Sequence, residues 1–377
     1  MRILVISPIA SHPQNQGNSA RIFTIARQLQ AMGHVVHFLY YPLEGLTAQQ
    51  REEMSGCWDY FHSLPCDLPN TERTLGEFYG IDDWYDPRLG EYAAQLHERW
   101  NFDAVLVNYV WFSAVLDSLP ESVFKVIDTH DVFGDRHLRF KEIGLVPEWF
   151  FTTVDEEKTG LRRADLVIAI QSEEALYFDN LLNGSNTKVL TIGHAIPPRF
   201  SHHTEGGEIA VVGYLGSGNP FNVSSVTAFA QSIQLVPELF EKYRFLLAGS
   251  ICDRIGNLPP FAVMGRIDDL DDFYRTVDIV INPMNGGTGL KIKTLEALSF
   301  GCETTGTESS FAGIRVQQSS RPAFSDFSDM LNGLFSSKLS HLSAKDAKAT
   351  AMAYNSTCAV GLKLLSEAIS AFPRGIA

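Results

Sequence analysis

The sequence predicts an α/β protein made of two Rossmann-like halves. Short apolar runs alternate with helix-periodic segments along most of the 377 residues. The alternation stops once, around Ile196-Pro197-Pro198 and the polar stretch Ser201 to Gly207, and then restarts. Finally, residues 279–305 read as strand, glycine-dense loop, helix and strand, a crossover that places a ligand loop at a strand's carboxyl end. With 45% hydrophobic residues, a chain of this length can fill two cores.

The first strand, Ile3 to Ser7, stops at Pro8. A helix follows with Ile22, Ile25, Ala26 and Leu29 on one stripe, closing at Gly33, and Val35 to Tyr41 returns as a strand. Ser11 to Ser19 is then the ligand-facing loop. Gly17 is a candidate donor contact there, and Asn18 or Ser19 is the expected helix cap. Further strands are predicted at Ala104 to Asn108, Val123 to Asp128, Leu166 to Ile170 and Val189 to Ile192, all in one parallel sheet. This first domain covers residues 1–197, and a second covers 198–355. The second series begins at Ile209, runs to about Thr305, and is followed by helical patterns at Phe327 to Phe335 and Ala359 to Ala371.

Charge narrows the partners. The net charge is -14, and the first 200 residues hold 16 Lys and Arg against 27 Asp and Glu, which argues against nucleic acid. Acid concentrates between Glu52 and Glu91 among Trp58, Tyr60, Phe61, Phe78, Tyr79, Trp84 and Tyr85. That segment reads as a solvated insertion packed through its aromatics, with sugar stacking as the other use of such a patch. It allows at most peripheral membrane contact. No apolar run approaches a bilayer span and Met1-Arg2 leads straight into a strand, so a cytoplasmic protein is expected. The five cysteines are scattered without a C-x-x-C pair, which favours free thiols over zinc or disulfides.

The loop with Gly286, Gly287 and Gly289 precedes a helix whose N-terminal N–H groups are unpaired and positive, the setting for a bound phosphate. Lys291 and Lys293 sit where the helix dipole disfavours cations, which makes sense if an anion binds there. Glu296 shares a face with Lys293, so one ligand can meet a cation at its phosphate and a carboxylate at a sugar hydroxyl. A surface helix with an ion pair is the plainer account; the capping Gly301, a short strand at Cys302 to Thr305, and Gly306 and Gly313 punctuating the next loop favour the crossover. At another strand end, Asp128-Thr129-His130-Asp131 offers a neutral imidazole beside a carboxylate. Arg136 and Arg139 on the next helix can reach an acceptor or phosphate, ordinary surface pairing being the commoner use.

The run from Val277 to Ile314 resembles the donor-binding signature of glycosyltransferase family 4, with its apolar strand, Pro, glycine loop, Lys, Glu-Ala and closing Gly. Val211 to Leu215 with Asn219 to Asn222 resembles the opening of that family's C-terminal domain, Phe245 to Gly249 its second strand, and Gly265-Arg266-Ile267 the segment that meets the base. The resemblance implies the GT-B fold, two Rossmann-like domains facing across a cleft, with the final helix, 356–377, crossing back to the first domain. It implies a retaining, hexosyltransferase-type, metal-independent enzyme without a cofactor, of the kind that builds polysaccharide. Its donor would be a UDP- or GDP-sugar, its acceptor a glycan, a lipid-linked group or a protein.

In that scheme His130, Lys291 and Lys293 carry catalysis. Gly17, Gly216, Ser217, Gly265, Arg266, Ile267, Gly287, Thr288, Gly289, Leu290 and Glu296 bind the donor, Glu296 at the ribose. Two departures stand out. Thr288 occupies the place of the family's first glutamate, and Gly213 to Gly218 lacks the Arg and Lys that hold the diphosphate in many relatives. The charge compensation therefore falls on Lys291 and Lys293. The rival readings are a nucleotide-sugar 2-epimerase on the same fold and a catalytically silent partner subunit.

Overall fold

The computed structural model describes residues 1–14, 16–66, 72–142, 144, 146–147, 149–200, 209–284, 289–317, 323–335 and 342–373. The chain forms two compact units, Met1–Ala195 with Thr357–Ala377, and Ile196–Ser356.

The first unit runs β1 (Arg2–Ser7), α1 (Gly17–Ala31), β2 (Val35–Tyr40), α2 (Ala48–Cys57), β3 (Tyr60–Ser63), α3 (Pro87–Trp100), β4 (Ala104–Asn108), β5 (Phe124–Asp128), α4 (Arg136–Glu142), α5 (Val154–Leu161), β6 (Leu166–Ala169), α6 (Ser172–Leu181) and β7 (Lys188–Thr191). The strands pair in parallel in the order β3-β2-β1-β4-β5-β6-β7. β4 and β6 are buried along their whole length, as expected of strands covered on both faces. From the final helix, Leu362, Leu365 and Ile369 join this unit's core, and His34 Nε2 meets Ser366 Oγ at 2.7 Å.

The acidic, aromatic segment folds as α2, β3 and α3, with β3 extending the sheet as an edge strand. Trp58, Tyr79 and Trp84 are buried, and Trp58 stacks on Phe38 at 5.2 Å, so the segment packs through its aromatics. Its helix boundaries follow capping chemistry. Asp86 accepts from Arg88 N at 2.9 Å, Pro87 takes the first helical position, and Asn101 ends α3 in the left-handed conformation. The expected cap of α1 is corrected. Gln16 is the N-cap, and Ser19 lies one turn in, its Oγ accepting from Gln16 N at 3.3 Å.

The second unit contains β8 (Ala210–Leu215), α7 (Pro220–Gln234), α8 (Leu239–Lys242), β9 (Tyr243–Ala248), α9 (Cys252–Ile255), β10 (Phe261–Gly265), α10 (Leu270–Thr276), β11 (Ile279–Asn282), α11 (Ile292–Phe300), β12 (Glu303–Thr307), β13 (Ala323–Phe324) and α12 (Phe327–Phe335), and α13 (Ala344–Ala371) begins in it. Its parallel sheet has the order β10-β9-β8-β11-β12-β13. Gly306, read as a loop residue, lies within β12, where a Cβ would come 2.4 Å from the Asn282 carbonyl oxygen.

Both units thus show the Rossmann strand order, reversing between β1 and β4 in one and between β8 and β11 in the other. At such a switch point the loops after the two strands diverge and leave a crevice at their carboxyl ends. Among the described residues no helix is long and apolar enough to cross a membrane, and none of the five cysteines is in a disulfide.

Candidate active site

In the second unit three glycines let the loops after β8, β9 and β10 approach backbone to backbone. Gly216 N donates to Ala248 O at 3.0 Å, Ile251 N to Gly216 O at 3.1 Å, and Gly249 N to Gly265 O at 2.8 Å. A Cβ on Gly249 would sit 2.3 Å from the Gly216 oxygen, and Gly249 and Gly265 both hold positive φ angles, so side chains are excluded from this seam.

On the other side of the switch point stands α11. Asn282, the last residue of β11, donates through Nδ2 to Thr294 Oγ1 at 2.9 Å, and Thr294 donates to Ser310 O at 2.7 Å. These two bonds fix the helix start against the strand end. Lys291 is the N-cap, is buried, and its Nζ donates to Gly289 O at 3.2 Å. Lys293 follows in the first turn. Its Nζ donates to Asn222 Oδ1, sits 3.7 Å from Met284 Sδ, and lies over the Tyr214 ring at 5.4 Å from the centroid. No carboxylate among the described residues pairs with it. Burial, reinforced by the Lys291 charge, lowers the Lys293 ammonium from its usual range to about 7. The Tyr214 hydroxyl and Asn282 Oδ1 are buried and find no hydrogen-bond partner among the described residues.

One turn on, Glu296 accepts from the Tyr274 hydroxyl through Oε2 at 3.1 Å, and Tyr274 stacks on Phe300 at 4.3 Å. Burial raises the Glu296 carboxyl above its usual range, while the Tyr274 hydroxyl and Arg199 oppose the rise. Gly265 ends β10, with Ile267 half-buried beside it. Arg266 projects into solvent and pairs with Asp253 at 2.7 Å. Gly216 and Ser217 line the loop after β8, and Gly289 and Leu290 lead into α11. Gly287 and Thr288 lie outside the described residues.

The first unit builds a second polar cluster at its carboxyl edge. Asp128 ends β5, fully buried, and takes a forked contact from Arg21 of α1, with Nη2 to Oδ1 at 2.6 Å and Nε to Oδ2 at 2.9 Å. Arg21 also donates to the Ile192 and Gly193 carbonyls at 2.9 and 3.0 Å, so most of its donors are satisfied. His130 has a positive φ of 63°, stacks on Tyr109 at 4.2 Å, and places Nε2 3.0 Å from Asn108 Oδ1 and 3.4 Å from Asp128 Oδ2. The Asn108 oxygen accepts only, so Nε2 carries the hydrogen and Nδ1 is an acceptor in the neutral ring. Burial lowers His130 to about 4, with Asp128 and Asp131 opposing and Arg21 assisting, so the ring is neutral at ordinary pH.

The loop behind His130 hangs on Glu157 of α5, whose carboxylate accepts from Phe133 N at 2.7 Å and the Tyr177 hydroxyl at 3.0 Å. Arg136 meets Asp131 at 3.5 Å, an ordinary pairing, and the Arg139 side chain lies outside the described residues. Gly17 opens α1.

Several groups here were not picked out from sequence as site residues, namely Arg21, Asn108, Tyr109, Glu157, Tyr214 and Tyr274. Arg21 alone left a signal, because it falls four residues before Ile25 on the stripe that the helix turns toward the core.

The fold defines a class, the GT-B fold, with two parallel Rossmann-like sheets. Residues 209–316, the part that carries the lysines and Glu296, match the model of the family described as "Glycosyl transferases group 1". Among solved structures the chain is similar to the sucrose-phosphate synthase (tll1590) from Thermosynechococcus elongatus, at 13% identity and a TM-score of 0.66 over 98% of this chain and 99% of that one. It is similar also to a glycosyltransferase from Rickettsia africae ESF-5, at 12% identity and a TM-score of 0.66 over 99% of each chain. A third is Anabaena Alr3699/HepE in complex with UDP and glucose, at 12% identity and a TM-score of 0.65 over 98% of this chain and 99% of that one. No curated protein matches the sequence.

Proposed function

We propose that the protein transfers a hexosyl group from a UDP- or GDP-sugar to a hydroxyl of a glycan, lipid-linked or protein acceptor, with retention and without a divalent metal, in the cytoplasm. The observation that carries this reading is Lys293, an ammonium at the switch point of the second sheet, beside Lys291 and the N-terminus of α11, with no carboxylate among the described residues to neutralise it. Two clustered cations at the positive end of a helix suit a diphosphate, whose negative charge grows as the anomeric carbon–oxygen bond breaks.

Glu296, held by Tyr274, keeps its Oε1 for the ribose hydroxyls. At the end of the glycine seam, Gly265 has open space where a Cβ would stand, which leaves room for the nucleoside, with Ile267 as its apolar neighbour. His130, neutral and braced by Asn108 and Tyr109, is suited to hold a sugar hydroxyl by hydrogen bond rather than to offer a charge. Arg266, already paired in solvent, has the weakest support of the predicted donor contacts. The UDP and glucose carried by Anabaena HepE, and the UDP and GlcNAc carried by the pneumococcal O-GlcNAc transferase GtfA, support a nucleotide sugar as donor.

A thermal-shift screen against UDP- and GDP-sugars tests the reading, because a ligand that binds only the native state raises the melting point. At least one donor should raise it in wild type, and transfer to acceptor should persist in EDTA. Conversion of donor with no acceptor present would instead mark an epimerase. A flat response to the whole panel would leave the silent-subunit reading standing, and activity lost in EDTA but restored by magnesium would remove the metal-free scheme.

A further inference from the structure

We propose that Asn222 is a positioning residue, a locked amide that aims the Lys293 ammonium. The inference rests on the reading of Lys293 as a phosphate ligand and adds the device that holds it in place.

Asn222 lies in the first turn of α7, almost fully buried at 3% exposure. Its Nδ2 donates to Ser217 O at 2.9 Å and to Ser217 Oγ at 3.0 Å, while its Oδ1 accepts from Lys293 Nζ. The orientation of the amide is not open to choice. A main-chain carbonyl only accepts and an ammonium only donates, so the nitrogen must face Ser217 and the oxygen must face Lys293. The backbone is fixed as well, because Asn222 N donates to Asn219 Oδ1 at 2.8 Å in the cap of α7 and Pro220 holds the first helical position. Below the ammonium lies the Tyr214 face, and Met284 Sδ stands at 3.7 Å.

The lysine is therefore oriented by one neutral oxygen, a ring face and a thioether, none of which cancels its charge. A carboxylate at position 222 would hold Lys293 more tightly but would neutralise it before any phosphate arrived. A neutral acceptor positions the cation and leaves its charge for the ligand. Lys291 is the one charged group that acts on it among the described residues, and it disfavours the protonated form. An arriving diphosphate reverses that balance, so binding should draw a proton onto Lys293.

The experiment is calorimetric titration of UDP and GDP into wild type, Asn222→Asp, Asn222→Leu and Ser217→Ala, in buffers of differing ionisation enthalpy from pH 6 to pH 8.5. Wild type should take up about one proton per nucleotide near pH 8.5 and little near pH 6, with affinity falling up to tenfold per pH unit above 7. Asn222→Asp, whose carboxylate keeps Lys293 charged, should bind about tenfold more weakly at pH 6, with an uptake near zero across the range. Asn222→Leu should lose affinity and move the alkaline fall to lower pH, and Ser217→Ala should do the same to a lesser degree. A purely structural role for Asn222 would lower melting points without moving the proton count. Variants that keep the wild-type uptake profile overturn the proposal and leave the function standing. Wild type that binds neither nucleotide, or binds with no proton uptake that Lys293→Ala removes, overturns the reading of Lys293 itself. Should Asn222→Asp not fold, the leucine and Ser217→Ala profiles decide the matter.

Discussion

The two sheets repeat one strand order, yet they bury charge at their carboxyl ends in opposite ways. In the first unit Arg21 and Asp128 neutralise each other, and the Ile192 and Gly193 carbonyls take further guanidinium donors. In the second, Lys293 is held by Asn222 and the Tyr214 face with no opposite charge among the described residues. A paired ion fixes structure; an unpaired one stores an unfavourable interaction that a ligand of the other sign can relieve. The contrast makes the first cluster a brace for His130 and, on the proposed function, the second a receptor.

The comparison breaks most sharply through stability. Asp128→Ala leaves Arg21 charged and buried, and removing one partner of such a pair costs about 3–5 kcal/mol. Lys293→Met should do the reverse. A lysine whose folded value is lowered to about 7 burdens the fold most below that pH, and the burden fades as pH rises toward 10.5. The variant should therefore melt above wild type at pH 6 and near it at pH 10. Equal losses from both substitutions would show that Lys293 is as well satisfied as Arg21.

Turnover should invert that order. Lys293→Met, though more stable, should lose about 10²–10³ in kcat, the scale set by deleting one donor that stabilises developing charge. His130→Ala removes one hydrogen bond from a neutral ring and should cost less, about tenfold in kcat/KM, with no shift of the pH profile between 6 and 8. A histidine that acts as a cation would move that profile, and the brace would then be part of the proton chemistry.

Much of this contrast is legible in the sequence, but unevenly. Alternation and the break at 196–207 delimit the sheets because strand and helix periods are local properties of the chain. The glycine loop and its two lysines are legible because dipole, cation and glycine chemistry fall within ten residues. The brace is not, since Arg21, Asn108 and Asp128 meet from distant positions and only the strand order brings them together. Asn222 is the intermediate case. Its place after Asn219-Pro220 marks a helix start, but its 71-residue separation from Lys293 hides its purpose. The cap of α1 is Gln16 because the helix begins at Gly17, well before its apolar stripe opens at Ile22.

One more substitution bears on whether the first unit is satisfied throughout. Glu174, in the first turn of α6, accepts from Gln171 Nε2 at 3.0 Å through Oε1, while its Oε2 is buried with no hydrogen-bond partner among the described residues. Burial raises the carboxyl to about 8, the Asp131 charge adding to the rise and Gln171 and Arg21 opposing it. A carboxyl raised in the folded state stabilises fully below its unfolded value of 4.5 and loses that contribution as pH climbs toward about 8. Glu174→Gln removes the titration while keeping the shape and the contact with Gln171. Its melting point should match wild type near pH 4.5 and exceed it above pH 8, by ~2–4 °C for each kcal/mol relieved. Melting curves that stay parallel across this range would mean that Glu174 is ionised and paired in the fold. The first cluster would then be neutralised in full, and the unpaired cation of the second would stand in still clearer contrast.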